Sequence, residues 1–375
     1  MRIGLNLLHA MPEIGGGWNY IARLVESLGE YDRENTYVAF VTNKSVGMVP
    51  RQPNFEIVHV GINPISRPQR VLYENTRLQM DARKYRLDLM HWFANTISVV
   101  NSVPGVVTIY DLLVFENPHS FSRIQRIYLQ TMYPHTVRRA ALLLPMSETT
   151  ARALCNILKT CSERMQVIPA IVSASFQPVS SDKVVELRRK YNLPDQFWLY
   201  VAHFYPHKNH LRLLQSYHDL KLNGVALWPL ILRGDDHGAE EEVKRLVTQL
   251  GLENNVRFLP RLGEGELAVL YSAASAIVFP SLYEGGGIPV IEAMACGCPI
   301  IAANIPPVRE FAGDAASYFD PNDVASIAEA MSSFQSGDPK DRSLKRCAGL
   351  DRSAEFRPQL IVPKLLKAYA RALSK

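Results

Sequence analysis

The chain has 375 residues, 47% of them hydrophobic and 21% charged, with a formal net charge of +5 and a pI near 8.9. These totals exclude a disordered or fibrous chain, and no apolar run reaches the roughly 18–20 residues of a membrane-spanning helix. No dense basic block with interleaved aromatics announces nucleic-acid binding. The five cysteines, Cys155, Cys161, Cys296, Cys298 and Cys347, are odd in number and lack CxxC spacing, which argues against a disulfide framework or a zinc site and for buried free thiols.

In chain order, "RIGLNLL", "YVAFVTN", "FEIVHV", "LDLMHW", "GVVTIYD" and "ALLLPMS" read as short strands. Several are apolar at nearly every position, as parallel strands buried on both faces must be. The first runs into a glycine turn at Gly15–Gly17 and then the helical pattern "NYIARLVESLGEY", a βα unit whose ligand edge is that turn. The apolar run before the turn is too short for a signal peptide, so a cytoplasmic protein is expected.

The stretch "PAIVSASFQPVSSDK" loses periodicity and reads as a linker. A second series follows: "FWLYVAHF", "WPLILRG", "NVRFLP", "AIVFPS", "PIIAAN" and "ASYFD", alternating with helical patterns such as "HLRLLQSYHDLKL" and "AEEEVKRLVTQLGL". The expected architecture is α/β, with two Rossmann-like, doubly wound parallel-sheet domains facing across a cleft. Their expected bounds are 1–172 and 173–355, with a closing amphipathic helix at 356–375 that packs back toward the first.

The densest local signal is "SLYEGGGIPVIEAMACG", from Ser281 to Gly297. Pro289 suits a first helical turn and Gly297 a helix end, so a helix is expected from about Pro289 to Cys296. Glycines feeding a helix N-terminus let phosphate or sugar oxygens approach free N–H groups and the positive end of the dipole. Glu284 stands on the loop and Glu292 one turn inside the helix, where carboxylates suit vicinal hydroxyls rather than a hydrolytic acid/base pair.

Through Pro299 this block resembles the E-x7-E signature of the retaining glycosyltransferases of family 4, whose fold is GT-B. Glu284 and Glu292 fall on the two glutamates, and Gly286 replaces a usual aromatic. The segment "LYVAHFYPHKNHLRLLQSY" resembles that family's lysine segment, with His207 in place of the usual arginine. "GGGWNYIARL" resembles its donor-facing glycine loop, and "TIYDLLVFENP" its strand ending in His-Asp, with Tyr110 where the histidine stands.

The resemblance implies roles. Lys208 would contact the donor diphosphate, Glu284 the transferred sugar, and Glu292 the ribose. Backbone N–H groups of Gly285, Gly286, Gly287 and Ile288 would bind sugar and phosphate oxygens, and Gly16 and Gly17 would admit the donor phosphate unless they form an ordinary tight turn. His203, His207, Arg233 and Arg261 are further candidates. Asp111 would position acceptor or sugar, or else serve as a cap. Tyr110 is too weak a base for neutral pH. No metal or cofactor is expected, Asp235-Asp236 being read as a solvated loop.

The implied activity is retaining, metal-independent hexosyl transfer from a nucleotide-sugar, UDP-glucose first and GDP-mannose second, to a glycan or lipid-linked acceptor of a surface or exopolysaccharide. A non-catalytic nucleotide-sugar-binding subunit and a nucleotide-sugar epimerase are the competing readings. The basic helical patterns at Arg67–Arg86 and "FSRIQRIYLQTMYPHTVRRA" offer either peripheral contact with the inner face of a membrane or a solvated basic face.

Overall fold

A computed structural model describes residues 1–12 and 15–374. The chain divides into two compact units, Met1–Ile171 with Pro358–Lys375, and Val172–Arg357. All twelve apolar runs named above form strands. In the first unit these are β1 (Arg2–Asn6), β2 (Thr36–Val41), β3 (Phe55–His59), β4 (Leu89–Trp92), β5 (Gly105–Ile109) and β6 (Leu142–Pro145). In the second they are β7 (Trp198–Val201), β8 (Leu230–Arg233), β9 (Val256–Leu259), β10 (Ala276–Phe279), β11 (Ile300–Ala303) and β12 (Ala316–Phe319).

Both sheets are wholly parallel. Their orders, β3-β2-β1-β4-β5-β6 and β12-β11-β10-β7-β8-β9, are the same winding, each running outward in both directions from a central pair. That pair is β1 with β4 in one unit and β7 with β10 in the other. Helices on both faces bury the strands, which is why β4, β5, β7 and β10 carry no exposed residue. In such sheets the crevice outside the carboxyl ends of the central pair is where the loops part and a ligand fits.

The helix Pro358–Leu373 closes the first unit, although it ends the sequence. It lies against the helix Gly16–Tyr31, and its Tyr369 hydroxyl meets His91 Nδ1 at 2.7 Å, while His91 Nε2 meets Thr108 Oγ1 at 2.8 Å. The cysteine expectation needs correction. Cys296 and Cys298 are buried, but Cys161 and Cys347 are exposed, the first beside a surface turn and the second on the helix Pro339–Ser353, and Cys155 is half-buried.

Candidate active site

In the second unit, β7 and β10 are neighbours, so the loops that follow them converge at the crevice. The loop after β7 ends in a 3-10 turn, Pro206–Lys208, and the loop after β10 carries Glu284. The sequence leaves these two side chains 76 positions apart, and the topology brings them into contact: Lys208 Nζ donates to Glu284 Oε1 at 2.6 Å. The pair is largely out of water, with side chains 17% and 8% exposed.

The lysine is anchored by its backbone. The hydroxyl of buried Tyr200, on β7, donates to the Lys208 carbonyl at 2.7 Å and lies 3.3 Å from Ser281 Oγ. Leu282 N–H donates to the His207 carbonyl at 2.9 Å, tying one loop to the other. Asn209, left-handed at φ 63°, donates its side-chain amide to the carbonyls of Pro280 at 3.0 Å and Pro321 at 2.7 Å. Asparagine tolerates that conformation, and its two amide hydrogens satisfy two buried carbonyls at once.

The glycine turn leads into the helix Ile288–Ala295, one residue earlier at each end than expected, with Pro289 in its first turn. The conformation that requires glycine is at Gly287, φ 50°, where the Phe311 ring would lie 3.4 Å from an added Cβ. The helix closes as a Schellman motif. Gly297, φ 68°, donates to the Met294 carbonyl at 2.9 Å, and Cys298 N–H to the Ala293 carbonyl at 2.9 Å. Glu292 faces inward at 2% exposure, and the Tyr271 hydroxyl donates to its Oε2 at 3.1 Å. The two glutamates therefore differ: one is charge-paired on a loop, the other held by a tyrosine within a helix.

The loops after β7 and β8 zip together beside the pair. Ala202 N–H donates to the Arg233 carbonyl and Phe204 N–H to the Asp235 carbonyl. Gly234 permits this approach, since a Cβ there would lie 1.9 Å from the Ala202 carbonyl oxygen. His203 Nδ1 accepts the Asp235 N–H at 3.1 Å, so that nitrogen is unprotonated and Nε2 carries the hydrogen. Its contact with the Asp235 carboxylate at 3.8 Å is accordingly no ion pair. Burial, with the neighbouring His237 second, holds the His203 pKa down at about 4. Burial and then Lys208 hold His207 at about 4 as well. In this environment both are neutral near pH 7 rather than cations beside Lys208.

His207, Tyr205 and His237 form a stack, with ring separations of 5.3 and 4.4 Å, and the Tyr205 hydroxyl meets His237 Nδ1 at 2.9 Å. Arg261 is exposed and reaches Asp235 at 3.6 Å, and Arg233 Nη2 donates to the Leu262 carbonyl at 3.4 Å. Asp236 accepts the N–H groups of Gly238 and Glu240, which places it as a turn and helix-start cap. Among the described residues no group of His, Cys, Asp and Glu is arranged to hold a metal ion.

In the first unit, Gly16 and Gly17 are the opening residues of their helix. The bare backbone is needed one position earlier, at Gly15, φ 62° and ψ −120°. The preceding Glu13 and Ile14 lie outside the described residues. Asp111 Oδ1 accepts the Leu113 N–H at 2.9 Å, a turn-capping bond. The Tyr110 hydroxyl is buried with no hydrogen-bond partner among the described residues, its ring packs edge-on to Tyr20 at 5.5 Å, and burial drives its pKa well up. It is no base in this environment. Tyr200, Asn209, Gly234, Tyr271 and the Tyr205–His237 stack were not singled out in the sequence. Asn209 alone had a local signal, as the asparagine of "HKNH" just before a helical pattern.

Residues 185–349 match the sequence profile of the family described as glycosyl transferases group 1. The O-antigen chain mannosyltransferase B of Escherichia coli is 29% identical over 267 residues, covering 71% of this chain and 70% of that protein. The O-antigen chain mannosyltransferase RfbU of Salmonella typhimurium is 30% identical over 229 residues, covering 61% of this chain and 60% of that one. Among solved structures, a sucrose-phosphate synthase of Thermosynechococcus elongatus superposes with a TM-score of 0.81 at 21% identity, over 100% of this chain and 99% of that one. HepE of Anabaena, solved with UDP and glucose, gives 0.77 at 18% identity, over 99% of each. At those identities the likeness is one of fold, and the fold is GT-B.

Proposed function

We propose that this chain, which has the GT-B fold and matches the group 1 glycosyl transferase profile over residues 185–349, transfers a hexosyl residue from a nucleotide-sugar to a glycan or lipid-linked acceptor, with retention and without a metal. The observation that carries the reading is the Lys208–Glu284 contact at the carboxyl edge of β7 and β10. Loss of a nucleoside diphosphate leaves negative charge on the departing oxygen, and a positioned ammonium in a water-poor site stabilises it. Lys208 supplies that charge. Glu284 is an acceptor suited to a sugar hydroxyl, and Glu292, oriented by Tyr271, to the ribose diol. The Gly285–Ile288 backbone lies where a helix N-terminus favours anionic oxygens.

The family resemblance favours front-side displacement, in which the leaving phosphate helps deprotonate the acceptor. The names of the two enterobacterial relatives shift the donor from UDP-glucose, placed first by the sequence, toward GDP-mannose. O-antigen-like surface polysaccharide is the corresponding product class. A thermal-shift panel of UDP, GDP, UDP-glucose and GDP-mannose tests this, because a ligand that binds only the folded chain at about 100 times its Kd adds about 2.7 kcal/mol. A panel with no shift refutes the donor site. Nucleotide binding without transfer or hydrolysis, in wild type and Glu284→Ala alike, favours the non-catalytic alternative.

We also propose that the first unit rests on an anionic membrane face. Residues 67–86 and 123–139 carry a formal +8 between them, whereas the whole chain carries +5. Their helices expose Leu72, Ile124 and Ile127, at 66%, 81% and 64%, and Arg67 lies over the Tyr128 ring at 5.9 Å, joining the two segments. Basic residues beside exposed apolar ones suit an interfacial surface. No helix among the described residues is long and apolar enough to cross a membrane. Sedimentation with phosphatidylglycerol vesicles, weakened in Ile124→Glu/Ile127→Glu, is the expected result, and unchanged sedimentation of that variant refutes the surface.

A further inference from the structure

The first sheet has the same winding as the second, and at its central pair, β1 and β4, lies a second polar cluster that none of the proposed donor contacts uses. His9 follows β1. It is 7% exposed, and neither ring nitrogen has a hydrogen-bond partner among the described residues. Burial and then the Arg70 charge hold the His9 pKa down at about 3, while the Phe93 backbone, following β4, works the other way. Arg70 comes from the helix Arg67–Asn75, with Nε buried and unbonded among the described residues. Among the described residues the nearest carboxylate to that nitrogen is Glu74 Oε1, at 3.8 Å, and the same oxygen already accepts from Asn6 Nδ2 at 2.9 Å.

Among the described residues the charges do not balance. Burial and then the Arg70 charge lower the preference of Arg67 for its own charge, and the Arg70 charge presses on His9 too. Among the described residues, one buried glutamate, Glu74, opposes them. An imidazole and a guanidinium buried with nitrogens unpartnered among the described residues cost free energy, about 1–3 kcal/mol for an unsatisfied polar group. A ligand that satisfies them recovers it. The position is where ligands bind in sheets of this winding.

We propose that this crevice binds a phosphate group of the acceptor, held by Arg70 and His9 with Arg67 at the rim. A phosphate carries up to two charges and three free oxygens, which lets it accept from both guanidiniums and the imidazole together and offset the surplus charge. The word acceptor rests on the glycosyltransferase reading above; the anion site does not. The cluster borders the basic helices, so the phosphate belongs either to a sugar phosphate or to a lipid carrier.

Titration of the full chain with inorganic phosphate, followed by ³¹P line broadening, tests the proposal. Saturable binding is expected in wild type. It should weaken at least about tenfold in Arg70→Gln, the scale of one charge-assisted hydrogen bond, fall in His9→Phe, and survive in part in Arg70→Lys. The thermal shift given by UDP or GDP should persist in all three. Circular dichroism reports folding, and Arg70→Lys together with His9→Phe carries the test if Arg70→Gln does not fold. No saturable phosphate binding in wild type, or binding undiminished in Arg70→Gln and His9→Phe, overturns the site. Loss of the nucleotide shift together with phosphate binding in Arg70→Gln reassigns the crevice to the donor and overturns the acceptor role. A wild type that binds phosphate but no nucleotide refutes the donor reading and leaves the anion site standing. Displacement of inorganic phosphate by glucose 6-phosphate or by dihexanoyl phosphatidic acid then identifies the source as sugar or lipid.

Discussion

Replacing Lys208 by methionine keeps most of the side chain's volume and removes its charge, leaving Glu284 buried and unopposed. In wild type the pair is 2.6 Å apart with little exposure on either side. Removing one partner of such a pair costs about 3–5 kcal/mol, because the remaining charge has been taken out of water without compensation. At roughly 2–4 °C per kcal/mol for a unit of this size, the melting transition of residues 172–357 should fall by roughly 6–20 °C. Glu284→Gln should cost a comparable amount. The double variant, which strands neither charge, should regain at least half of the loss. Turnover separates the roles: Lys208→Met and the double variant should both lose more than about tenfold, since the cation is gone from each. The assay is urea unfolding by tryptophan fluorescence in a Trp18→Phe/Trp92→Phe background, so that Trp198 and Trp228 report on the second unit, together with transfer from the donor identified by the panel. A stability loss under about 1 kcal/mol would mean that the pair behaves as a solvated surface contact. Unchanged turnover in Lys208→Met would remove the lysine from the site.

Gly234→Ala should destabilise by about 1–3 kcal/mol or more, because its Cβ meets the Ala202 carbonyl oxygen at 1.9 Å and neither backbone can yield cheaply; a chemical-denaturation midpoint equal to wild type would contradict the close approach of the two loops. Gly287→Ala, at φ 50°, should cost about 1–2 kcal/mol and weaken donor binding with it, read by the same denaturation and thermal shift. Acid should unfold the chain early. Burial depresses His203 and His207 to about 4 and His210 to about 3, from 6.5, so the unfolded chain binds more protons in that interval. Their contribution is complete above pH 6.5 and is lost as pH falls toward 4, at about 1.4 kcal/mol per pH unit for each; a urea midpoint that stays flat from pH 7 to 5 refutes it. Tyr110→Phe should leave turnover within about twofold and stability unchanged or raised, since it deletes a buried hydroxyl with no partner among the described residues. A large loss of turnover would restore that hydroxyl to the chemistry.

The fold was legible because several of the parallel strands are apolar at nearly every position, as strands buried on both faces must be, and all twelve runs read as short strands alternating with helical patterns. The glycine turn and its helix were legible because Pro289 and Gly297 punctuate both ends. Local spacing carries no distance between loops of different strands, so the direct bond from Lys208 to Glu284 was out of reach. Nor could composition distinguish a charged histidine from a neutral one. His203 and His207 lose their charge through burial first, then through His237 from the loop after β8 for the one and through adjacent Lys208 for the other, while Glu284 on the glycine loop works the opposite way on His207. Gly234 illustrates a further limit. It sits in "RGDD", where the aspartates draw attention, whereas the decisive fact is a carbonyl contributed by another strand.

The ammonium of Lys208 already has a partner before any ligand arrives. On the proposed assignment, a donor must take the lysine from Glu284 and give the glutamate a hydroxyl in exchange. Only a molecule bearing both a diphosphate and a sugar can make that trade in full. A free nucleotide, the product, takes the lysine and leaves the carboxylate without a replacement. Re-formation of the internal pair therefore favours product departure, and the same contact that readies the site for one turnover also clears it for the next.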